Sequence, residues 1–346
     1  MPILDPADEQ ALTRYAAFVR GCPHAHAMQD PNWCRLKTGW QRECVYLEEK
    51  GEITAALTLL IRPMGPFALA YGPRGPVCDP RDVALLQRIA EEARPVLQKH
   101  RAFALRIDPL TGWDPEYETA LRQAGFRVRG RGQGLHNLIQ ARYHMKLPLL
   151  PTLEETAATY HSKTRYNIRL AAKKGVAVGY GRTELLLKEF YALYEVTCVR
   201  DRMSRRPYTY FSTMAEIFAD RLRIFVARCQ GEPLSASVAI RYGRSVWYLY
   251  GGSANEKRNL MAGYALQQAM IAWAVETGCE YYDFGGILAP DRSDGLYRFK
   301  EGFTGKAGLW ELIGEADLVR LPLPYFLFTR AAPALRRLSA KIHRGR

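Results

Sequence analysis

Two stretches of the chain end alike. The apolar segment FALAYG closes on Tyr71-Gly72, a helix-like segment runs from Asp79-Pro80 to about His100, and the short segment AFALRID ends at Asp108. Farther on, SVWYLYG closes on Tyr250-Gly251, a helix-like segment at about 261–277 is stopped by Gly278, and CEYYDFG carries Asp283. The Tyr-to-Asp separations are 37 and 33 residues. Two copies of a mixed α/β unit are the simplest account of this repetition.

The remaining pattern fits around those copies. The first 20 residues read as a helix opening at Asp5-Pro6, and strands follow at about 43–48, 52–61 and 67–72. The prolines of LPLLPT mark a linker. Beyond it come helices near 156–174, 184–199 and 210–219, then the strands LRIFVAR and SASVAIR. A length of 346 residues accommodates two domains. The expected division is 1–150 with 318–346, against 151–317.

Composition removes several classes. With 48% hydrophobic and 24% charged residues the chain is globular. The N-terminus MPILDPADEQ lacks the basic start and apolar run of a signal peptide. The apolar stretches Ala56–Ile61 and Tyr264–Val275 are too short or too polar to span a bilayer. Seven scattered cysteines without a CxxC pair suit free thiols in a reducing compartment. His24 and His26 beside Cys22 are a weak metal signal, and no metal is expected. The expected location is the cytoplasm or the inner face of the membrane.

A formal net charge of +14 favours phosphate-rich partners or anionic membrane surfaces. The excess is concentrated in KTRYNIRLAAKKGV, where five of fourteen residues are Lys or Arg. No acid occurs between Glu155 and Glu184. On a helix, Arg165, Arg169 and Lys173 fall at i, i+4 and i+8 and make one stripe. Phosphate binding and a solvated face are the two readings of such a stripe. The tail from Leu318 to Arg346 holds seven Lys/Arg and no acid. Its last segment, PALRRLSAKIHRGR, reads as an amphipathic helix on anionic lipid or as a helix packed back on the first domain.

The strand–helix–strand core resembles the acetyltransferase (GNAT) fold, whose glycine-rich turn holds a coenzyme A pyrophosphate. Leu260-Met261-Ala262-Gly263-Tyr264-Ala265 keeps the final Gly-x-Ala of that turn but has Leu at the basic position, which disfavours acetyl-CoA. More of the chain is accounted for by a second resemblance. KTRYNIRLAAKKGV, RDRMSRRPYTYF, AGYALQQAMIAWAVETGCEYYDFGG and LYRFKEGFTGK are similar, in order, to motifs of the Fem family (FemX, FemA, FemB). These are tRNA-dependent aminoacyltransferases that build peptidoglycan cross-bridges. The resemblance implies α/β tandem GNAT-like domains, with the tail returning to the first. No room exists between Tyr210 and Arg221 for the helical arm of the staphylococcal type, so the chain resembles the shorter FemX type.

The implied partners are aminoacyl-tRNA and a peptidoglycan precursor, either UDP-MurNAc-pentapeptide or its lipid-linked form. The implied protein is a monomer that uses no cofactor, because an aminoacyl ester is already activated. Such an enzyme supplies positioning and oxyanion stabilisation. By resemblance Lys300, with Phe299, stands where the two substrates meet and steadies the oxyanion. The bland alternative is a surface lysine paired with Glu301 or Asp294. Arg206 and Tyr210 contact the precursor's diphosphate region, Lys37 meets the same phosphates from the first domain with Arg35 as its competitor, and Tyr250 lines the precursor cleft. Asp108 is a binding or base candidate, or a turn cap. Arg165, Arg169 and Lys173 are the tRNA candidates. The rival readings are the same donor with another acceptor (a protein N-terminus, a lipid head group or a secondary metabolite), or a non-catalytic RNA-binding protein on the same scaffold.

Overall fold

The computed structural model describes residues 3–5, 7–131 and 138–331. Two compact units are present, Met1–Leu138 with Ile313–Arg346, and Ile139–Leu312. The tail helix expected in PALRRLSAKIHRGR lies outside the described residues.

In the first unit, α1 (Glu9–Gly21) opens later than Asp5-Pro6, because the Asp8 side chain accepts from Ala11 N. Next come β1 (Gln41–Glu49), β2 (Glu52–Met64) and β3 (Phe67–Gly72). The expected 79–100 helix is two, α2 (Val83–Glu92) capped by Asp82, and α3 (Arg94–Lys99). The break falls before Pro95, which is tolerated in a first helical turn and not in an interior. The sequence pass did not resolve α4 (Pro115–Gln123) or β5 (Arg127–Arg129), which follow β4 (Ala102–Ile107). The chain's late strand β13 (Glu315–Val319) completes a sheet of order β1-β2-β3-β4-β13-β5.

β13 is held by charge as well as by its ladder. Arg106 on β4 donates to both Asp317 oxygens at 2.7 Å and lies 3.1 Å from Glu315. Planar forks suit buried carboxylates because two parallel bonds satisfy both groups. Beneath them the core packs Val45, Leu57, Leu59, Leu86, Ile89 and Leu105.

The second unit begins with a strand whose last two residues are the first two of the expected linker LPLLPT. β6 (Tyr143–Pro148) pairs with β11 (Tyr281–Ile287) and with β12 (Leu309–Glu311). The domain boundary therefore falls before this strand rather than after residue 150, since its backbone groups are satisfied in the second sheet. Pro148 stands at the strand's end, where a missing N–H costs least. The expected 156–174 helix is divided into α5 (Leu153–Ala158) and α6 (Ser162–Lys173). His161 between them is extended and gives its N–H to Gly302 O at 2.9 Å. β7 (Val176–Gly181), α7 (Glu184–Arg200), α8 (Tyr208–Phe218), β8 (Leu222–Cys229), β9 (Glu232–Tyr242), β10 (Ser245–Ser253), α9 (Ala262–Glu276) and α10 (Gly295–Thr304) complete the unit. The sheet order is β12-β6-β11-β10-β9-β8-β7.

Each sheet contains one parallel pair, flanked by an antiparallel strand from a segment remote in sequence. The pairs differ in extent. β3 and β4 are bonded from Ala68–Ala102 to Gly72–Ile107. β10 and β11 are bonded only across Ser245–Trp247 and Tyr281–Asp283, although β10 continues to Ser253 and β11 to Ile287. Past that point β10 stays with β9 and β11 with β6, each through a register shift. The two strands fork.

Candidate functional site

Lys300 lies beside the free arm of that fork. Asp294 caps α10 by accepting from Leu296 N at 2.8 Å, and the helix buries Tyr297, Lys300, Glu301 and Thr304. Lys300 is only 3% exposed, and its Nζ donates to Gly286 O on β11 at 2.8 Å. The surface ion pair is not what the structure contains. Glu301 accepts instead from Arg292 at 3.1 Å and from the Tyr297 hydroxyl at 3.0 Å. Burial pushes the Lys300 pKa down to about 8, against the opposing pull of Asp283 and Asp294. Phe299 meets Tyr264 edge-on, ring centres 4.9 Å apart, in an aromatic group that includes Phe303.

Behind the fork Asp283, which like Asp108 ends a strand of the repeat and could orient or deprotonate an amine, meets two cationic partners that the sequence reading missed. Asp283 is fully buried. It accepts from Gly285 N at 2.6 Å and faces His144 Nδ1 at 3.2 Å. Burial raises its pKa, but the neighbouring His144, Lys146 and Gly285 N–H outweigh that and hold the carboxylate below its usual range. Lys146 sets its ammonium 4.1 Å from the Trp310 ring centre. His144 and Lys146 are on β6. Their signal was present, since Tyr143, Met145 and Leu147 alternate with them at the period of a strand.

Three precursor candidates come together on the other side of β10. Pro207 precedes the first residue of α8. That start exposes Arg206 and buries Tyr210. The Arg206 guanidinium lies 5.4 Å from the Tyr210 ring centre, and the Tyr210 and Tyr250 hydroxyls are 2.9 Å apart. Burial and the second phenol push the Tyr210 pKa upward. Arg206 has no ion-pair partner among the described residues. Its backbone is held by Tyr194, whose hydroxyl accepts from Arg206 N at 3.2 Å, and by Tyr191, whose hydroxyl donates to Arg206 O at 3.3 Å. A cation that is free while its backbone is fixed is an apt anion contact.

On α6 the basic stripe separates into two kinds of residue. The Arg165 guanidinium turns back on its own chain, donating to Ala158 O at 2.9 Å and to Tyr160 O. It thereby satisfies the carbonyls at the end of α5. Lys163, Arg169 and Lys173 are exposed with no ion pair among the described residues, and Tyr166 stands among them 56% exposed. α6 packs on α10 at Gly302, where an added Cβ would collide with the Thr164 hydroxyl.

The first unit holds the last two candidates. Lys37 follows the turn Pro31–Leu36, with its Nζ 5.7 Å from the Trp33 ring centre, and Arg35 beside it is exposed. Asp108 is buried at the end of β4, where it accepts from the Tyr71 hydroxyl at 2.9 Å and from Arg74 N. Burial raises its pKa, against the pull of Arg74 and the Tyr71 hydroxyl. Among the described residues no group of three or more His, Cys, Asp or Glu could hold a metal.

Two sheets, each with a parallel strand pair joined through helices, make a tandem GNAT-like fold. The fold agrees with a tandem GNAT protein from the clavulanic acid biosynthesis pathway, at a TM-score of 0.50 and 12% identity over 91% of this chain and 95% of that one. It agrees more fully with the crystal structure of FemX, at a TM-score of 0.84 and 24% identity over 95% of this chain and all of that one. The FemAB family profile matches residues 11–231 and 230–332, and the chain belongs to the FemAB family. It is 39% identical to a UDP-N-acetylmuramoylpentapeptide-lysine N(6)-alanyltransferase of Weissella viridescens, over 94% of this chain and 98% of that protein. It is 28% identical to a lipid II:glycine glycyltransferase of Staphylococcus haemolyticus, over 95% and 96%.

Proposed function

We propose that the protein transfers an aminoacyl group from aminoacyl-tRNA to an amine on the stem peptide of a peptidoglycan precursor. The observation that carries this reading is the 39% identity, over 94% of this chain, to a protein named as an alanyltransferase of UDP-N-acetylmuramoylpentapeptide-lysine, joined to a buried lysine beside the open fork.

In the reaction, the acceptor nitrogen attacks the ester carbonyl and forms the C–N bond. The C–O bond to the tRNA ribose breaks, and the amine's surplus proton ends on the departing ribose oxygen. Lys300 donates to the oxyanion of the tetrahedral intermediate. An ammonium carries three protons, and the bond to Gly286 O uses one of them. Arg206, Tyr210 and Tyr250 hold the precursor's diphosphate region, and Lys37 is a separate phosphate candidate on the first unit. Phe299 and its aromatic neighbours keep water from the ester. Lys163, Arg169 and Lys173 meet tRNA phosphates, and Tyr166 offers a face on which a base can stack. The packing of α6 on α10 ties that surface to the helix of Lys300. Arg165 acts on this surface through the α5–α6 corner that it fastens.

The test is a single-turnover reaction of pooled aminoacyl-tRNAs with UDP-linked and lipid-linked precursors, read by product mass. A precursor heavier by one aminoacyl residue is expected. Retention of the label on tRNA with both precursors would overturn the reading. Changing Lys163, Arg169 and Lys173 together to Ala should weaken tRNA binding and flatten its salt dependence, because fewer counterions are released.

A further inference from the structure

The backbone at the fork shows which bond is missing. Ahead of it, the Tyr281 N–H donates to Arg244 O, on the residue before β10, at 3.2 Å, while Glu280 O faces the β6 side and accepts from Leu149 N at 2.8 Å. Alternate residues of a strand turn their N–H groups to the same neighbour. The parallel pairing runs in step from Ser245–Tyr281 to Trp247–Asp283, so a ladder continued at that register would carry the Gly285 N–H to Tyr248 O. Instead the Gly285 N–H donates to Asp283 Oδ1 at 2.6 Å. Gly285 is still close to β10, since a Cβ built on it would lie 3.3 Å from Tyr248 O.

On the β6 side the same turn shows as one extra residue. Asp283 pairs with Lys146 and Gly286 with His144, so Phe284 and Gly285 together stand opposite Met145. Gly285 has φ +75°, as the left-handed residue of a glycine-type β-bulge does. Bulges re-aim the groups that follow them, and the next carbonyl, Gly286 O, is the one that accepts from Lys300 Nζ at 2.8 Å. The first unit shows the alternative. Asp108, at the corresponding strand end, accepts from Tyr71 and Arg74 N, and there the parallel ladder continues to Gly72–Ile107.

We propose that Asp283 is a positioning residue. Its carboxylate takes the N–H that would extend the β10–β11 ladder, and the bulge so fixed aims the Gly286 carbonyl at the Lys300 ammonium. Asp283 acts through the backbone on Lys300 and touches no substrate. Its effect on turnover rests on the proposed transfer reaction, whereas its effect on the strands does not. The competing account is a buried ion pair with His144 that serves stability alone. The accounts differ in which Asp283 bond matters, the one to Gly285 or the one to His144.

The test uses three variants of the full chain. Asp283→Ala removes both bonds, Asp283→Asn keeps an oxygen for Gly285 N, and His144→Gln breaks the ion pair while leaving the bond to Gly285. A crystal structure of the Ala variant should show the Gly285 N–H on Tyr248 O and the Gly286 carbonyl turned away from Lys300. An unchanged fork overturns the proposal. In steady-state kinetics Asp283→Ala should lower kcat about a hundredfold, as for a misplacement of about 1 Å, with the precursor KM within a few-fold of wild type. Asp283→Asn should recover to within about tenfold of wild type, a neutral acceptor replacing a charged one. His144→Gln should lower the melting temperature and keep kcat within a few-fold. A His144→Gln enzyme as slow as Asp283→Ala would show that the ion pair matters and the bulge does not, which also overturns the proposal. Should Asp283→Ala not fold, Asp283→Leu with His144→Leu removes both partners at similar volume and is judged by the same structural outcome. Absence of transfer by the wild type would remove the proposed reaction, and the crystal structures would still decide whether Asp283 opens the strands.

Discussion

β3 and β4 remain bonded along their shared length, whereas β10 and β11 part after Trp247 and Asp283. The Tyr–Asp repeat is common to both pairs. In the first unit its members close on each other, Tyr71 donating to Asp108 across the strands at 2.9 Å. In the second each finds another partner, Tyr250 with Tyr210 and Asp283 with His144. One copy is sewn shut by the residues whose counterparts in the other are drawn apart. The two units share one arrangement of strands, and local partners decided which of them opens beside an amine.

The comparison can be broken most forcefully at Lys300. Lys300→Ala should lower turnover about a hundred- to a thousandfold, as for loss of an oxyanion donor, with precursor affinity within a few-fold of wild type. An interaction made chiefly in the transition state acts on kcat. Steady-state kinetics at saturating precursor would check this, and normal turnover would remove the open fork as the reaction centre.

Next in size is Asp283→Asn, which leaves a buried cationic neighbourhood without its charge partner and should cost about 3 kcal/mol in urea unfolding. Its pKa is lowered on folding. The stabilisation is therefore complete above the unfolded carboxylate value of about 4 and lost as pH falls toward the folded one. Asp108 has the opposite sign. Its pKa is raised, so its contribution to stability declines as pH climbs from about 4 through the folded value. Unfolding curves across acidic pH should separate the two aspartates.

The pH dependence of turnover sharpens the role of the fork. With a Lys300 pKa of about 8, an ammonium donor predicts a kcat that falls as pH rises through that value, approaching tenfold per unit above it. A rise through the same value would make Lys300 a proton acceptor instead. Smaller again is Arg206→Ala, which should raise the precursor KM about tenfold and leave kcat in place, by loss of a charge-assisted contact held throughout the reaction. Asp108→Asn should be smallest, costing less than about 1 kcal/mol, because it removes a buried charge, keeps one acceptor oxygen for Arg74 N, and offers an amide N–H to which the Tyr71 hydroxyl can turn as acceptor. A large kcat loss there would place chemistry in the closed unit as well.

Much of the architecture could be read from local pattern. The repeat and the strands β1 to β4 and β8 to β11 rest on residues adjacent in sequence, where periodicity and turn chemistry act. The basic stripe was legible for the same reason, since helix spacing alone sets its face. Arg165 shows the limit of that argument. It lies on the stripe by spacing, yet the ending of α5 supplies carbonyls that draw its guanidinium back. Phe299-Lys300 was readable as a motif, but its burial was not, because YRFKEGF looks equally suited to a surface helix.

The sequence by itself determined where helices and strands alternate, which helix carries cations without acids, and which family the motifs resemble. Only the tertiary structure decided that β6 and β13 enter opposite sheets, that β10 and β11 fork, and that Lys300 meets a backbone carbonyl beneath that fork. Strand pairing across more than a hundred residues depends on which sheet edge still offers unpaired N–H and C=O groups. A lysine's charge state depends on how much water its neighbours leave it. Neither quantity exists until the chain has folded around it.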